Sequence, residues 1–213
     1  MKIKVVSFDV EGTLTTHRFS DLIWEEAIPR LYSEKVGSSL EEAKTHVMRE
    51  YGKFGEGRIE WYDIKYWFSH FGLAGYEKLL AHYKHEISYY PDVLPVLEKL
   101  IKNYTLVISS NSSREFLELE LERVKNYFHH IFSAPSDFKQ TKNASDFYLK
   151  VCSNLGIASS EMAHVGDHWV FDFVIPRRVG VKAFYLDRRG KRQDEFVVKD
   201  LKEFSDEVEK LER

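Results

Sequence analysis

Two aspartates, Asp9 and Asp167, each close a short apolar run, with Gly12 three residues after the first and Gly166 immediately before the second. A carboxylate at the C-terminal end of a buried parallel strand lies at the rim where open α/β sheets bind ligands. Two such carboxylates make a hard, anionic oxygen pair suited to Mg²⁺ with several retained waters. Glu11 adds a third carboxylate two residues beyond Asp9. Lys142 supplies a compact positive charge and Ser110 a hydroxyl, each suited to a phosphoryl oxygen. Backbone N–H groups at the helix starts after Ser110 and after Gly166-Asp167 would add further donors to an anion. Together these groups amount to a phosphoryl-transfer site, with a carboxylate nucleophile in line. The plainer alternative is that Asp9 and Glu11 are solvated loop acids, since acidic residues are ordinary in turns.

That chemistry requires the strand ends to converge. Ile3, Val5, Val6 and Phe8 form a β-branched and aromatic run too short for a helix, as a strand buried on both faces requires. Thr105 to Ile108, Ile131-Phe132, Met162 to Val165 and Val181 to Leu186 are further strand-like runs. Helical patterns separate them: Pro91-Asp92 to about Ile101, Ser112 or Ser113 to about Val124, Asp146 to Leu155, about Val170 to before Gly180, and Asp200 to Leu211. Pro135 to Lys142 reads as a loop, and Gly156 suits a left-handed helix cap. Strands alternating with helices predict βα units and a mostly parallel sheet, an α/β Rossmann-like core.

Residues 19 to 88 contain only helical patterns. Pro29 is positioned to kink or divide the first helix, and Ser39 to Glu42 has the spacing of a capping box. Helices are expected from Ser39 towards Tyr51, from about Trp61 to Phe71 and from Tyr76 to Ile87, with a loop over Gly52 to Gly57. The predicted organisation is a core of residues 1–15 and 90–213 with an all-helical domain, 16–89, inserted after the first strand. The insert's many aromatics, including Trp24, Tyr51, Trp61, Trp67 and Phe71, are expected mainly to pack its own core. Lys53 and Arg58 near its loop are candidates to meet an anionic substrate.

The chain has 213 residues and a formal net charge of −3, against a general binder of nucleic acid or anionic membranes. The basic run Arg188-Arg189-Gly190-Lys191-Arg192 reads as a solvated loop. No apolar stretch spans a bilayer, and no secretory leader is expected, because the first apolar segment carries the candidate site. Cys152 is the only cysteine, so no disulfide forms within the chain; a reducing cytoplasmic setting and a core-filling role are expected. His82 with His85, and His129 with His130, lack partners at zinc-like spacing.

Asp9-x-Glu11-Gly-Thr-Leu, Ser110-Asn111, Lys142 and Gly166-Asp167 with Asp172 occur in the order of the motifs of the haloacid dehalogenase-like (HAD) hydrolase superfamily, which the chain resembles. The insertion point resembles that of the helical C1 cap in its phosphatase branch. The resemblance implies an Mg²⁺-dependent phosphatase acting on a small-molecule phosphate monoester. Asp9 would be the nucleophile, forming an aspartyl-phosphate, and a metal ligand. Glu11 would be general acid and base, with its carbonyl on the metal. Ser110, Asn111 and Lys142 would bind the phosphoryl group. Asp167 would ligate Mg²⁺, and Asp172 would support the metal shell or orient Lys142. A cap closed over the cleft would exclude water and favour small substrates over macromolecules. The sequence carries no signal for oligomeric state.

Three departures from the family pattern stand out. Glu11 replaces an aspartate, lengthening the acid by one methylene, although a carboxylate still serves for proton transfer. Asn143 replaces a proline after Lys142, and Lys139 is a rival lysine; the spacing from Lys142 to Tyr148 favours Lys142. His168 replaces a serine. Other readings share the fold: a 2-haloacid dehalogenase, for which a proton-bearing Glu11 has no use, a phosphomutase, or an inactive binding protein.

Overall fold

The computed structural model describes residues 2–144, 146–192 and 194–211. β1 (Val5–Phe8) is wholly buried and lies at the centre of a parallel sheet of order β3-β2-β1-β4-β5-β6. The other strands are β2 (Thr105–Ser110), β3 (His130–Ser133), β4 (Met162–Gly166), β5 (Lys182–Leu186) and β6 (Val197–Val198). Alternation along β1 explains why it needs cover on both sides. Val6 and Phe8 join one apolar cluster with Leu97, Leu117 and Phe204, while Val5 joins a second with Phe147, Val151 and Ile175. Phe8 meets Phe204 and Phe128 edge to face, at centroid distances of 5.8 and 6.1 Å. Fully burying one such side chain contributes roughly 1.5–3 kcal/mol.

The register aligns the strand ends. Phe8 pairs with Ile108 of β2 and with Val165 of β4, so Asp9, Ser109 and Gly166 emerge side by side at one edge. The parallel α/β core expected from the alternating pattern is therefore present, with one strand more than the sequence suggests. β6 has only two residues, too few to give a periodic signal. Another difference lies at Pro135, where a short helix, Ala134–Phe138, replaces the expected loop. Ser133 caps it by accepting from the Ser136 N–H at 3.2 Å, and proline in the first turn has no N–H to lose. Cys152 is a buried free thiol facing the second apolar cluster.

Backbone contacts divide the chain into two units, Met1–Thr15 with Tyr89–Arg213, and Thr16–Ser88. Tyr89, assigned by sequence to the insert, groups with the sheet unit because it bridges to Thr15. The second unit is helical throughout. Its first helical stretch begins as an α-helix over Arg18–Asp21, is wound as a π-helix over Leu22–Ala27 and returns to an α-helix at Ile28–Val36. Pro29 marks that division: without an N–H it ends the wider-wound ladder, and it sits in the first turn of the α-helix, where no donor is required. Tyr51 and Trp67 pack edge to face at 4.6 Å in the aromatic centre of this unit, beside Phe71. Trp61 is exposed instead, in a short 3-10 turn before the helix Ile64–His70.

The helix Leu40–Gly52 begins with the expected capping box: Ser39 accepts from the Glu42 N–H, and Glu42 accepts from the Ser39 N–H at 3.0 Å. Replacing Ser39 by alanine removes one half of that exchange, so Ser39→Ala is expected to cost about 1 kcal/mol. A lowered urea midpoint at unchanged slope would show it; an unmoved midpoint would mean that packing alone sets this helix start.

Candidate active site

Lys142 is the centre of the candidate site. Its side chain is only 2% exposed, and its ammonium donates to Asp9 Oδ1 at 2.6 Å, to Asp172 Oδ1 at 2.5 Å and to the Ser109 carbonyl at 3.1 Å. An ammonium has three hydrogens, and all three are committed. The backbone holds the lysine in place, because the Lys142 N–H donates to Asn111 Oδ1 at 2.7 Å. The rival Lys139 lies in an exposed left-handed turn, φ 54°.

One ligand atom each from Asp9, Asp167 and Asp172 lies within 4.8 Å of the others. Asp9 and Asp172 share one lysine, and Asp167 brings a third carboxylate to the same partly buried group. The donors are hard oxygens, and Asp9 Oδ2 takes none of the described hydrogen bonds. Their charge and chemistry fit a divalent cation such as Mg²⁺.

The two aspartates that share Lys142 are pushed in opposite directions. Burial raises the Asp9 carboxyl from 3.8 to about 7; Lys142 opposes this, and the Asp172 and Asp167 carboxylates add to it. Burial would raise Asp172 too, but Lys142 and His164 overcome it and hold the group well below the usual carboxylate range. Asp172 also accepts the His168 N–H at 3.0 Å. Lys142 would be lowered by burial, yet Asp172 and Asp9 hold it above its ordinary value.

Asp172 owes its position to a close approach. A Cβ built on Gly166 would lie 2.3 Å from Asp172 Cγ, so only glycine at the end of β4 admits the carboxylate. The next turn is capped by His168, whose Nδ1 accepts from the Phe171 N–H at 3.1 Å while its ring stacks on Phe171. His168 thus helps to start the helical stretch that carries Asp172.

On the opposite flank, Ser110 Oγ accepts from the Ser112 N–H at 3.1 Å, so its own hydrogen can be donated elsewhere. Ser110 and Asn111 are both buried, and Ser112 Oγ donates weakly to Glu11 Oε1 at 3.4 Å. Gly12 follows Glu11 with φ 73°, a left-handed turn that glycine adopts without strain.

Sequence reasoning missed the support behind Lys142. His164, in the middle of β4, is fully buried, with Nε2 3.1 Å from Asp172 Oδ1 and Nδ1 2.9 Å from Ser7 Oγ. Burial lowers its pKa and keeps the ring neutral. A neutral imidazole has one hydrogen and Asp172 can only accept, which puts the hydrogen on Nε2. Tyr148, noted in the sequence only for its spacing, places its hydroxyl 3.1 Å from the same nitrogen and donates to the Phe171 carbonyl at 2.8 Å. His164 sits in an apolar strand, where no pattern separates it from core filler.

Several predicted surface cations are already engaged. Lys53 pairs with Glu50 and Arg58 with Glu60, both at 2.7 Å. Arg188 is not solvated as its basic run suggests: it donates to Asp92 at 3.0 and 3.2 Å and to the Thr13 carbonyl at 2.8 Å. Arg189, Lys191 and Arg192 are exposed as expected.

Two outcomes follow. Gly166→Ala forces Asp172 aside, at a cost of about 1–3 kcal/mol as an overpacked site; denaturant unfolding should show the loss, and wild-type stability would contradict the close approach. The second concerns pH. An acid raised in the folded state is bound to more protons folded than unfolded, so its contribution falls as pH climbs between 3.8 and about 7. His164, lowered from 6.5, runs the other way as pH falls. Asp9→Asn removes only the first effect. In chelator, Asp9→Asn should therefore gain melting temperature relative to wild type at about pH 8 but not near pH 5. Equal gains at both pH values would refute the raised carboxyl.

The family description "haloacid dehalogenase-like hydrolase" matches residues 3–180. The chain is 27% identical to a Clostridium perfringens protein named as a candidate pyrophosphatase, PpaX, over 98% of this chain and 99% of that one. Among solved structures, it resembles a HAD phosphatase from Thermococcus onnurineus with TM-score 0.86 and 27% identity, covering 97% of this chain and 98% of the other. A 2-haloacid dehalogenase from Pseudomonas syringae shares the fold with TM-score 0.67 at 22% identity, over 98% and 99% of the two chains. No described helix is long and apolar enough to cross a membrane.

Proposed function

The chain belongs to the haloacid dehalogenase-like hydrolases, and we propose that it is an Mg²⁺-dependent phosphatase that cleaves a small phosphate monoester through an aspartyl-phosphate. The observation that carries this reading is the gathering of Asp9, Asp167 and Asp172 oxygens within 4.8 Å of one another, two of these residues held by the buried Lys142. A halide-displacing site has no need of a divalent cation, whereas phosphoryl transfer uses one to neutralise oxygen charge. The resemblance to a HAD phosphatase over nearly the whole chain supports the same choice.

In this reading Asp9 attacks phosphorus through Oδ2, because Lys142 holds Oδ1. The P–O bond to the leaving group breaks as the Oδ2–P bond forms. Glu11 gives its proton to the departing oxygen, then accepts one from the water that hydrolyses the aspartyl-phosphate. Ser110 donates its hydroxyl hydrogen to a phosphoryl oxygen, and the Asn111 backbone stands beside it. Once Oδ2 is esterified, Asp9 loses its charge, and the Lys142 hydrogen on Oδ1 is freed to turn towards the phosphoryl oxygens. Asp9, Asp167 and the Glu11 carbonyl would hold Mg²⁺, which supplies charge neutralisation for those oxygens when bound. Asp172, tied to Lys142, His164 and the His168 N–H, keeps the lysine aimed. The helical unit Thr16–Ser88 takes the part of a cap in this reading.

Phosphate release from p-nitrophenyl phosphate and from sugar, glycolyl and nucleoside monophosphates, with inorganic pyrophosphate alongside, tests the proposal. Turnover should require Mg²⁺, stop in EDTA and fall at least about a thousandfold in Asp9→Asn, because the nucleophile is lost. Chloride release from a 2-haloacid without added metal, in place of phosphate release, would favour the dehalogenase chemistry.

A further inference from the structure

Glu120 ends the helix Arg114–Glu120 that follows the Ser110-Asn111 turn, and its side chain is fully buried. It meets no lysine, arginine or histidine among the described residues. Instead its Oε1 accepts the Thr15 hydroxyl at 3.0 Å, and its backbone carbonyl accepts the Tyr89 hydroxyl. Its other oxygen, Oε2, is buried with no hydrogen-bond partner. A buried carboxyl without a cation is stable only as the neutral acid. Burial, with the Glu11 and Asp9 carboxylates nearby, raises it well above the usual range despite the Thr15 hydrogen bond. The proposed chemistry gives this group no part, and an apolar residue would fill the place at less expense.

Thr15 explains what it does. The Thr15 carbonyl accepts the Gly12 N–H at 2.7 Å, its own N–H donates to the Val10 carbonyl at 3.0 Å, and Thr15 bridges to both Glu11 and Tyr89. Residues 10–15 therefore close on themselves through Thr15, with Glu11 and Gly12 inside the loop. Arg188 anchors the same loop from another side through the Thr13 carbonyl at 2.8 Å. The Thr15 hydroxyl has one hydrogen and two acceptors in reach, Glu120 Oε1 at 3.0 Å and the Val10 carbonyl at 3.4 Å. Glu120 offers the shorter bond and draws the Thr15 side chain towards its own helix.

We propose that Glu120 is a positioning residue which, as a neutral buried acid acting through Thr15, fixes the loop that aims the Glu11 carboxyl at the leaving group. The inference rests on Glu11 being the general acid and base. It adds to that reading a dependence of the acid's placement on the helix following the Ser110-Asn111 turn.

The experiment combines Glu120→Gln, Glu120→Leu, Thr15→Val and the Glu120→Leu/Thr15→Val double variant in the full chain. Glutamine keeps a neutral acceptor for Thr15 and should hold kcat within about threefold. Leucine and Thr15→Val should each lower kcat by about tenfold or more with KM unchanged, and the double variant should lose no more than either alone, because the two act as one unit. The Gly12 amide resonance, which reports the bond to the Thr15 carbonyl, should shift alike in Glu120→Leu and Thr15→Val and stay near wild type in Glu120→Gln. This signal is read whether or not an ester is turned over, so failure of the phosphatase reading would leave it interpretable. Losses that multiply in the double variant, an unmoved Gly12 amide, or a Glu120→Gln as impaired as Glu120→Leu would each overturn the proposal. Should Glu120→Leu fail to fold, Glu120→Gln and Thr15→Val still decide it through the same resonance.

Discussion

One buried lysine governs this site. Lys142 has three hydrogens and gives them to Asp9, Asp172 and the Ser109 carbonyl, which stand on three different strands or their sequels. Removing the lysine would leave Asp9 and Asp172 buried without their cation, and breaking a buried ion pair from one side commonly costs about 3–5 kcal/mol. The sheet exists here in a form that satisfies the lysine: β1, β2 and β4 end in register, Gly166 gives way to Asp172, and Asn111 holds the Lys142 backbone. Around it, Asp9, Asp167 and Asp172 bring carboxylate oxygens within 4.8 Å of one another, and that cluster links the fold to its candidate chemistry.

The supporting network shows how the two aspartates on Lys142 differ. Asp172 is held ionised by Lys142, His164 and a backbone N–H, and so acts as a fixed anchor. Asp9 shares the lysine but has less support, and burial raises it to about 7. The weaker-held carboxylate is the one with an oxygen to offer. Two aspartates on one lysine thus differ by environment, not by residue type.

Much of this was legible in the sequence, for physical reasons. Buried parallel strands read as short apolar runs, and their polar successors Asp9, Ser110 and Asp167 had to meet at one edge once the sheet was parallel. The choice of Lys142 over Lys139 rested on its distance in sequence from Tyr148, which matches the pattern of the family that the chain resembles, and the structure buries the first and exposes the second. Other residues gave no signal. His164 lies within an apolar strand and Glu120 in a helical run of alternating Glu and Leu, and their partners are 157 and 105 residues away in Ser7 and Thr15. Arg188 looked like one member of a solvated basic run, yet its partners Asp92 and Thr13 are brought to it only by the fold. Local pattern reports local structure, and these interactions are not local.

The measurement that bears most directly on the carboxylate cluster is calorimetric titration of Mg²⁺ into wild type and Asp9→Asn. At about pH 8 wild type should bind one Mg²⁺, and affinity should fall by about tenfold or more near pH 5.5, where a proton competes for Asp9. Asp9→Asn should bind more weakly and lose most of that pH dependence. No binding by folded wild type at either pH, or identical binding by both proteins, would contradict the claim that these carboxylates are assembled around a divalent cation.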